Sequence, residues 1–295
     1  MDSKNSLGIL YMAVFLLALN GLFSKLIPLD AVTITQLRSV LAAVSLTVFA
    51  LLLKREPRLE TARQYSGVYF TGVILGLHWI TFFHSMQVST VAIGMLSLFT
   101  YPVITVVLEA FFNKKRVSFV DVIAAVLVLL GVLIMVKEDL HQLDSDAVQG
   151  VFWGVISALL FSVRNLLQKY CFPSVPSDRL ILHQVIVVAV LLFVFIDFSS
   201  VARLQVNDWF MLILLGAIST AAAHSLLSFS LKHISAKSTA MISCLQPLFA
   251  AVFAWLFLSE TPTQSVVLGG LIIISVALYE SLKKAGVKIP GKSES

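Results

Sequence analysis

Ten separate runs of about 20 apolar residues constrain the fold of this chain more than any other feature of its sequence. A helix needs about 20 apolar residues to cross the hydrocarbon core of a bilayer. The composition agrees, since 58% of the residues are hydrophobic and only 13% are charged, whereas soluble domains carry about 25% charged residues. The sequence therefore predicts an all-α membrane protein with ten transmembrane helices. They lie at residues 7–27, 32–53, 66–86, 90–112, 118–137, 147–171, 178–197, 208–230, 236–259 and 263–284.

The basic residues between these runs predict the orientation of the chain in the membrane. When the loops are assigned to alternate sides, 16 lysines and arginines fall on the side of the two termini, and two, Lys137 and Arg203, fall on the other. Loops rich in Lys and Arg stay in the cytoplasm. Both termini are therefore predicted to be cytoplasmic, in a multi-pass protein of the plasma membrane, specifically the bacterial inner membrane.

The two halves of the chain share a repeated pattern. A shift of 146 residues aligns five identical residues within the 22 positions of Gly76–Ser97, including His78 with His224. A shift of 145 residues aligns Pro102 with Pro247. Runs 3 to 5 match runs 8 to 10 in the same order, so the pattern predicts an internal duplication.

This duplication divides the chain into two five-helix repeats. We predict the first at residues 1–140, with helices 1–5, and the second at residues 141–295, with helices 6–10 and a cytoplasmic tail. Because five is odd, the second repeat crosses the membrane in the opposite sense. Inverted repeats of this kind are typical of secondary transporters, in which two related halves surround one central site.

Two segments carry a family resemblance: STVAIGMLSLFTYPVITVVLEAFF (89–112) and SAKSTAMISCLQPLFAAVFAWLFLSETPT (235–263). Each joins a stretch of small residues to a proline and an aromatic-rich run. They resemble the signature segments of the drug/metabolite transporter superfamily, and in particular its ten-helix EamA-type branch. The first copy departs from the pattern, because Lys115 stands where the second copy has Glu260. The resemblance implies export of amino acids and related small metabolites, although some members import or exchange.

Polar side chains within the apolar runs are candidates for a central cavity, because a polar group in a bilayer is costly unless it binds a partner or faces water. His78 and His224 lead this set, since they occupy matched positions and histidine titrates near pH 6.5. Each is a candidate for substrate contact or proton coupling, and a packing role is the alternative for the whole set. The predicted substrate-binding residues are Asn20, His78, Trp79, Tyr101, Ser162, His224, Ser243 and Gln246.

Charged residues and prolines within the runs complete the candidate site. Arg38, Glu109 and Arg164 are candidate charge partners; Arg38 and Arg164 have side chains long enough to extend toward the membrane surface, and Arg164 could instead pair with Glu109 or with a substrate carboxylate. Pro102 and Pro247 are predicted to kink their helices, because each lacks the N–H that would bond the carbonyl four residues earlier. Those carbonyls would face the cavity, or the kinks would only serve packing.

Other classes of protein lack their characteristic residues. The sequence has no catalytic or nucleotide-binding motif and no basic stripe for nucleic acid, and Cys171 and Cys244 lack metal or redox spacing. We expect no enzymatic activity, cofactor, metal or nucleic-acid partner. The favoured function is a secondary active or facilitative transporter that exports amino acids or related compounds by alternating access. The alternatives are a cationic drug or polyamine exporter and, from another class, a non-transporting membrane sensor or scaffold; proton coupling and a homodimer stay open.

Overall fold

Helices form every regular element in the described part of the chain. The computed structural model describes residues 3–89, 91–114, 117–135, 137, 145–258 and 263–284. Lys115 and Glu260, the positions at which the two motif copies differ, lie outside those residues. The helices are α1 (Ser3–Leu26), α2 (Ala31–Leu52), α3 (Ala62–Val88), α4 (Val91–Leu98), α5 (Tyr101–Phe112), α6 (Phe119–Met135), α7 (Ser145–Cys171), α8 (Ser177–Leu192), α9 (Phe198–Val201), α10 (Val206–Leu214), α11 (Ala223–His233), α12 (Ala236–Ser243), α13 (Gln246–Leu258) and α14 (Gln264–Lys284).

Among the described residues, eight helical stretches are long and apolar enough to cross a membrane, judged by length and composition. Two shorter apolar stretches, Asn5–Asn20 and Phe119–Ile134, lie in α1 and α6. The predicted all-α architecture agrees with this arrangement, and the ends of the ten predicted runs agree with the helices to within a few residues. The prediction that all ten cross a bilayer as inverted repeats is taken up below. The eight longer stretches are Ala31–Leu52, Ala62–Val88, Ile93–Phe112, Asp146–Cys171, Ser177–Phe195, Val206–His233, Ala236–Phe257 and Gln264–Lys283.

Two of these stretches are interrupted in the same way, one in each half of the chain. α4 ends at Leu98 and α5 begins at Tyr101, while α12 ends at Ser243 and α13 begins at Gln246. Between them the backbone tightens into i→i+3 hydrogen bonds, from Thr100 N to Ser97 O (3.3 Å) and from Leu245 N to Ile242 O (3.1 Å). A proline follows each break at the second residue of the new helix, where a missing N–H is tolerated.

A π-helix at Leu215–Ala222 joins α10 to α11. It packs closely on α2, because a Cβ added to Gly216 would lie 2.5 Å from Leu41 Cβ and 3.2 Å from the Arg38 carbonyl oxygen. Only a residue without a side chain allows the two backbones to approach this closely. Runs of π-helix are rare and often lie at functional sites, and this one adjoins the site described below.

The helices of the two halves of the chain interleave. α3 packs against α7, α2 against α8, α1 against α11 and α6 against α14. At the predicted cytoplasmic face, Asp121 on α6 forms ion pairs with Lys237 on α12 and with Lys283 on α14, the latter at 3.1 Å. The apolar side chains that remain exposed line the outside of the bundle, as expected for surfaces that face lipid.

Candidate functional site

A small cavity lies at the centre of the bundle, and helices from both halves of the chain line it. Its volume is about 40 Å³, which holds one or two water molecules. Six of the eight predicted substrate-binding residues contribute to its wall. The lining residues are Leu17, Asn20, Arg38, His78, Trp79, Phe82, Met95, Leu98, Tyr101, Phe161, His224 and Gln246.

His78 is fixed in the cavity wall by Ser157 of α7. Its Nδ1 lies 2.7 Å from Ser157 Oγ and 3.1 Å from the Ser157 carbonyl oxygen, and Ser157 Oγ donates to the His78 carbonyl at 2.9 Å. The Phe161 ring stacks on the imidazole, with centroids 4.7 Å apart. Since the carbonyl can only accept, this network favours a proton on Nδ1, which leaves Nε2 as an acceptor toward the cavity.

His224 faces His78 across the cavity but has fewer contacts. It is 3% exposed, and no described group hydrogen-bonds to its Nδ1. Its ring meets the edge of Trp79 at a centroid distance of 5.3 Å. A buried nitrogen without a partner is unfavourable unless water or a ligand satisfies it, so His224 is the less satisfied member of the pair.

Arg38 lies in the cavity wall, and the prediction that it extends to the surface is wrong. The residue is 1% exposed, and its guanidinium lies over the Trp79 ring, 4.5 Å from the centroid. Its Nη2 donates to Asn20 Oδ1 at 3.1 Å, and its Nε donates to Thr220 Oγ1 at 2.9 Å. The planar guanidinium suits such stacked sites, and these neutral partners retain it inside the bundle.

The π-helix supplies this threonine. Thr220 Oγ1 donates its proton to the Leu215 carbonyl at 2.7 Å, five residues earlier. The oxygen is therefore left as an acceptor, aimed at Arg38 Nε. This contact joins α2 in the first half of the chain to the π-helix in the second half.

Tyr101 lines the cavity, but the two predicted serines lie behind its wall. The Tyr101 hydroxyl donates to the Ala240 carbonyl at 2.8 Å, which joins α5 of the first broken helix to α12 of the second. Ser162 Oγ lies 3.2 Å from the Tyr101 carbonyl oxygen and accepts from Thr105 Oγ1 at 3.0 Å. Ser243 is buried on α12, three residues beyond Ala240. Ser162 and Ser243 therefore lie near Tyr101 but do not contribute to the described cavity lining.

Glu109 does not pair with Arg164, which was one of the alternatives that the sequence left open. Its carboxylate accepts the backbone N–H groups of Ala236 and Lys237, each at 2.8 Å, at the beginning of α12. The Tyr170 hydroxyl also donates to it at 2.8 Å. A carboxylate is stabilised at a helix N-terminus, where unpaired N–H groups and the helix dipole meet. Glu109 therefore ties α5 to the second half of the chain.

Arg164 is completely buried, so the prediction that it extends to the surface is also wrong. Its Nη2 donates to Gln184 Oε1 at 2.5 Å, and its Nη1 donates to Asn165 Oδ1 at 3.1 Å. With the Gln168 amide oriented to satisfy its neighbours, that oxygen lies 2.6 Å from Arg164 Nε. Gln184 Nε2 in turn donates to Thr71 Oγ1 at 2.7 Å. Amide oxygens thus surround this cation.

Several residues of the site were missed from the sequence: Thr71, Ser157, Gln168, Gln184 and Thr220. The glutamines carried a usable signal, because each is a strongly polar residue inside an apolar run and the same cost argument applies to it. The hydroxyl residues gave a weaker sequence signal, since serine and threonine are common in transmembrane helices and form hydrogen bonds with their own backbone.

A wider cavity of about 360 Å³ lies near the predicted cytoplasmic face. The last two turns of α5 contribute Val106, Glu109 and Ala110 to it, while Tyr101 at the beginning of α5 lines the central cavity. One helix therefore leads from the wider cavity to the smaller one. Lysines and aspartate also line the wider cavity, among them Lys169, Lys237 and Asp121.

We expect Pro102→Ala and Pro247→Ala to leave expression nearly intact and to slow transport. Each alanine restores an N–H that can bond the carbonyl four residues earlier, Leu98 or Ser243. Leu98 lines the central cavity, so a closed hydrogen bond there would remove an acceptor and stiffen the break. Flux into liposomes measures the effect, with Pro176→Ala, at the end of a loop, as the control. Wild-type flux in both variants would mean that the breaks serve packing alone.

Metal or thiol chemistry finds no support in the described residues. In residues 3–89, 91–114, 117–135, 137, 145–258 and 263–284, no group of three or more His, Cys, Asp or Glu side chains could hold a metal ion. Cys171 and Cys244 are free thiols, one exposed and one buried. The central site is therefore one of neutral polar groups, aromatic rings and buried guanidinium groups.

An α-helical bundle with lipid-facing walls and a polar cavity between its two halves defines an integral, multi-pass membrane protein. Comparison with known families identifies the family of membrane proteins to which the chain belongs. The chain belongs to the EamA-like transporter family, whose model matches residues 6–137 and again residues 148–279. The family resemblance predicted from the two motif segments is thereby confirmed.

Individual relatives are also transporters. The chain is 26% identical to the uncharacterized transporter YxxF of Bacillus subtilis, covering 75% of this chain and 72% of that protein. It is 22% identical to the S-adenosylmethionine uptake transporter of Rickettsia felis, with 75% and 73% coverage. It is also 22% identical to the pseudopaline exporter CntI of Pseudomonas aeruginosa, with 81% and 84% coverage. A solved crystal structure with 15% identity shares the fold, with a TM-score of 0.79 over 97% of this chain and 100% of that one.

Proposed function

We propose that this protein is a secondary transporter that exports amino acids or related small metabolites by alternating access. The observation that carries the proposal is the central cavity, to which the first half contributes His78 and the second half His224. A polar cavity between two repeats, near the middle of apolar helices, is the usual place of a transporter's binding site. Transport, rather than catalysis, is also what the family and the relatives do.

The proposal includes ten transmembrane helices in two inverted repeats, residues 1–140 and 141–295. The family model matches once in each half, and each half contains one broken helix with a proline directly after the break. Since each repeat has five helices, the second would run in the opposite sense. The two broken helices would then cross the bilayer in opposite directions beside one cavity.

Alternating access requires the cavity to enlarge, because about 40 Å³ holds no more than one or two water molecules. The wider cavity at the predicted cytoplasmic face offers the path, with α5 running from one cavity to the other. Tyr101, whose hydroxyl donates to the Ala240 carbonyl, lies at the inner end of this path. Its movement would admit substrate to His78, Trp79 and His224.

The driving force would be an ion gradient or the gradient of the substrate itself, since the sequence has no ATP-binding motif. His78 and His224 are the candidates for a coupling proton. Export is the direction implied by the family resemblance, and the pseudopaline exporter is one relative with that direction in its name. The S-adenosylmethionine uptake transporter has the opposite direction, so an assay must read both.

A cationic drug or polyamine exporter is disfavoured by the geometry of the carboxylates. None of the described residues that line the central cavity is an aspartate or glutamate. Glu109, the best candidate, already accepts hydrogen bonds from Ala236, Lys237 and Tyr170. A scaffold or sensor gains no support from a specific observation.

We expect both termini to be cytoplasmic, in the inner membrane of a bacterium. A reporter fused after Ser295 that is active only in the cytoplasm should be active, and a reporter active only outside it should be silent. The physical reason is the bias of 16 basic loop residues against two, which retains those loops in the cytoplasm. The opposite pair of results would contradict the predicted orientation. A homodimer is a separate prediction, tested by the mass of the purified protein in detergent.

A metabolite screen tests the function directly. The purified protein would be screened for thermal stabilisation by amino acids and related compounds, and each hit would then be measured as flux into and out of loaded liposomes. We expect at least one amino acid or derivative to exchange across the membrane faster than in protein-free liposomes. A screen with no flux for any compound, with protein that is folded and monodisperse, would contradict the proposed function.

A further inference from the structure

We propose that the central cavity selects substrates of net negative charge over zwitterions and cations of the same size. This inference rests on the proposed transport function and narrows its substrate class to small organic anions, such as monocarboxylates and acidic or N-acylated amino acids. The argument begins with Arg38, which lines the cavity and is 1% exposed.

In the described part of the chain, the Arg38 guanidinium has N–H donors without a hydrogen-bond partner and has no counter-charge. A guanidinium carries five N–H donors, and the described hydrogen bonds of this group go to the neutral oxygens of Asn20 and Thr220. In the described part of the chain, no carboxylate lies within ion-pair distance of Arg38. A buried cation without a counter-ion is unfavourable, so an anion bound in the cavity would supply the counter-charge that Arg38 lacks.

Arg164 adds a second buried positive charge on α7, about one turn beyond Phe161 of the cavity lining. Its described partners are the amide oxygens of Gln184, Asn165 and Gln168, which are also neutral. Two guanidinium groups with neutral partners thus lie at or beside the cavity, and none of its described lining residues is a carboxylate. The cavity therefore has a positive potential, which low-dielectric surroundings strengthen.

A substrate ammonium group would find neutral acceptors here but no counter-charge. The described lining residues offer amide, hydroxyl and imidazole groups but no carboxylate. Trp79, the strongest cation-binding ring of this lining, already carries the Arg38 guanidinium. A zwitterion would pair its carboxylate with Arg38 but bring a second, uncompensated positive charge to this cavity.

The rest of the described cavity wall is apolar and would contact the body of such an anion once the cavity has enlarged, as alternating access requires. Leu17, Phe82, Met95, Leu98 and Phe161 line it. The preferred ligand thus has a negatively charged head at Arg38 and a small apolar body against these side chains.

The test compares compounds that share an apolar side group and differ in charge. One series is 4-methylpentanoate, leucine and 3-methylbutylamine; a second is 3-phenylpropanoate, phenylalanine and 2-phenylethylamine. Binding to the purified wild-type protein in nanodiscs is measured by thermal shift and by calorimetry at constant pH and salt. We expect at least one acid to bind tenfold or more tightly than its amino acid, and neither amine to bind. If neither acid exceeds its amino acid, including by lack of any response, or if an amine binds best, the proposal is overturned.

Variants assign the preference to Arg38. In Arg38→Gln the ratio between the affinities of acid and amino acid should fall to within about twofold, and Arg38→Lys should retain part of it because the charge remains. Arg63→Gln, which removes an exposed arginine at the beginning of α3, is the matched control and should behave as wild type. A preference unchanged in Arg38→Gln would overturn the assignment. Leucine flux in liposomes without acid preference would leave the transporter proposal intact and remove only this inference.

Discussion

Replacing Gln184 with leucine is expected to lower the free energy of unfolding by about 2–4 kcal/mol, because it leaves part of a buried cation unpaired. Gln184 Oε1 accepts from Arg164 Nη2 at 2.5 Å, and its Nε2 donates to Thr71 Oγ1 at 2.7 Å. Leucine fills a similar volume but offers neither group. Arg164 and Thr71 would both lose a partner in the interior of the bundle. Unfolding in detergent, followed by thermal denaturation or by denaturant titration, measures the loss.

Gln36→Leu provides the matched control for Gln184→Leu. Gln36 is also a buried glutamine within an apolar helix, at 3% exposed. Its Nε2 makes a long bond of 3.4 Å to the Ala189 carbonyl, and no described group reaches its Oε1. Its replacement by leucine should therefore change the free energy of unfolding by less than about 1 kcal/mol, or stabilise the protein. Equal losses in the two variants would show that the amide network around Arg164 adds no special stability.

Glu109→Gln is expected to destabilise the protein by about 1–3 kcal/mol, through the beginning of α12. The carboxylate accepts three hydrogen bonds, from Ala236 N–H, Lys237 N–H and the Tyr170 hydroxyl. A glutamine presents an NH₂ group in place of one oxygen, so a donor would face a donor. It also removes the negative charge from the N-terminal end of a helix. The measurement is the same unfolding experiment in detergent.

The control for Glu109 is Glu60→Gln, which makes the same chemical change at an exposed loop position. It should leave unfolding unchanged within error, since its side chain faces solvent. If Glu109→Gln unfolds at the wild-type midpoint, the carboxylate does not stabilise the contact between α5 and α12.

The helices and the centre of the site were predictable because their signals are local. An apolar run of about 20 residues specifies a helix by its own length, and His78, Trp79 and Tyr101 were identified because polar tips are rare in such runs. Their position at one cavity follows from the matching of His78 with His224, and the structure places both in its lining.

The partners of these residues were not predictable, because they come from distant parts of the chain. Thr220 meets Arg38 through a π-helix, and nothing in the surrounding apolar sequence distinguishes that helix from a regular one. Ser157 holds His78 from a helix of the other half. Glu109 was one of the possible partners of Arg164 on charge alone, whereas in the structure it binds the backbone of α12.

Arg38 and Gln184 occupy equivalent positions in the two halves but differ in charge and in their partners, and this difference has a kinetic consequence. At the 146-residue offset that aligns His78 with His224, position 38 aligns with position 184, and each is the eighth residue of its helix. One half of the duplicated chain thus presents a cation to the cavity, while the other half has an amide already bound to Arg164. In an alternating-access cycle, a bound anion would sit off-centre, closer to the first half. In the proposed inverted-repeat arrangement, loading and release would therefore have unequal barriers even if an exact twofold axis related the two backbones. Sequence divergence between the halves would then influence the rates of loading and release at each face.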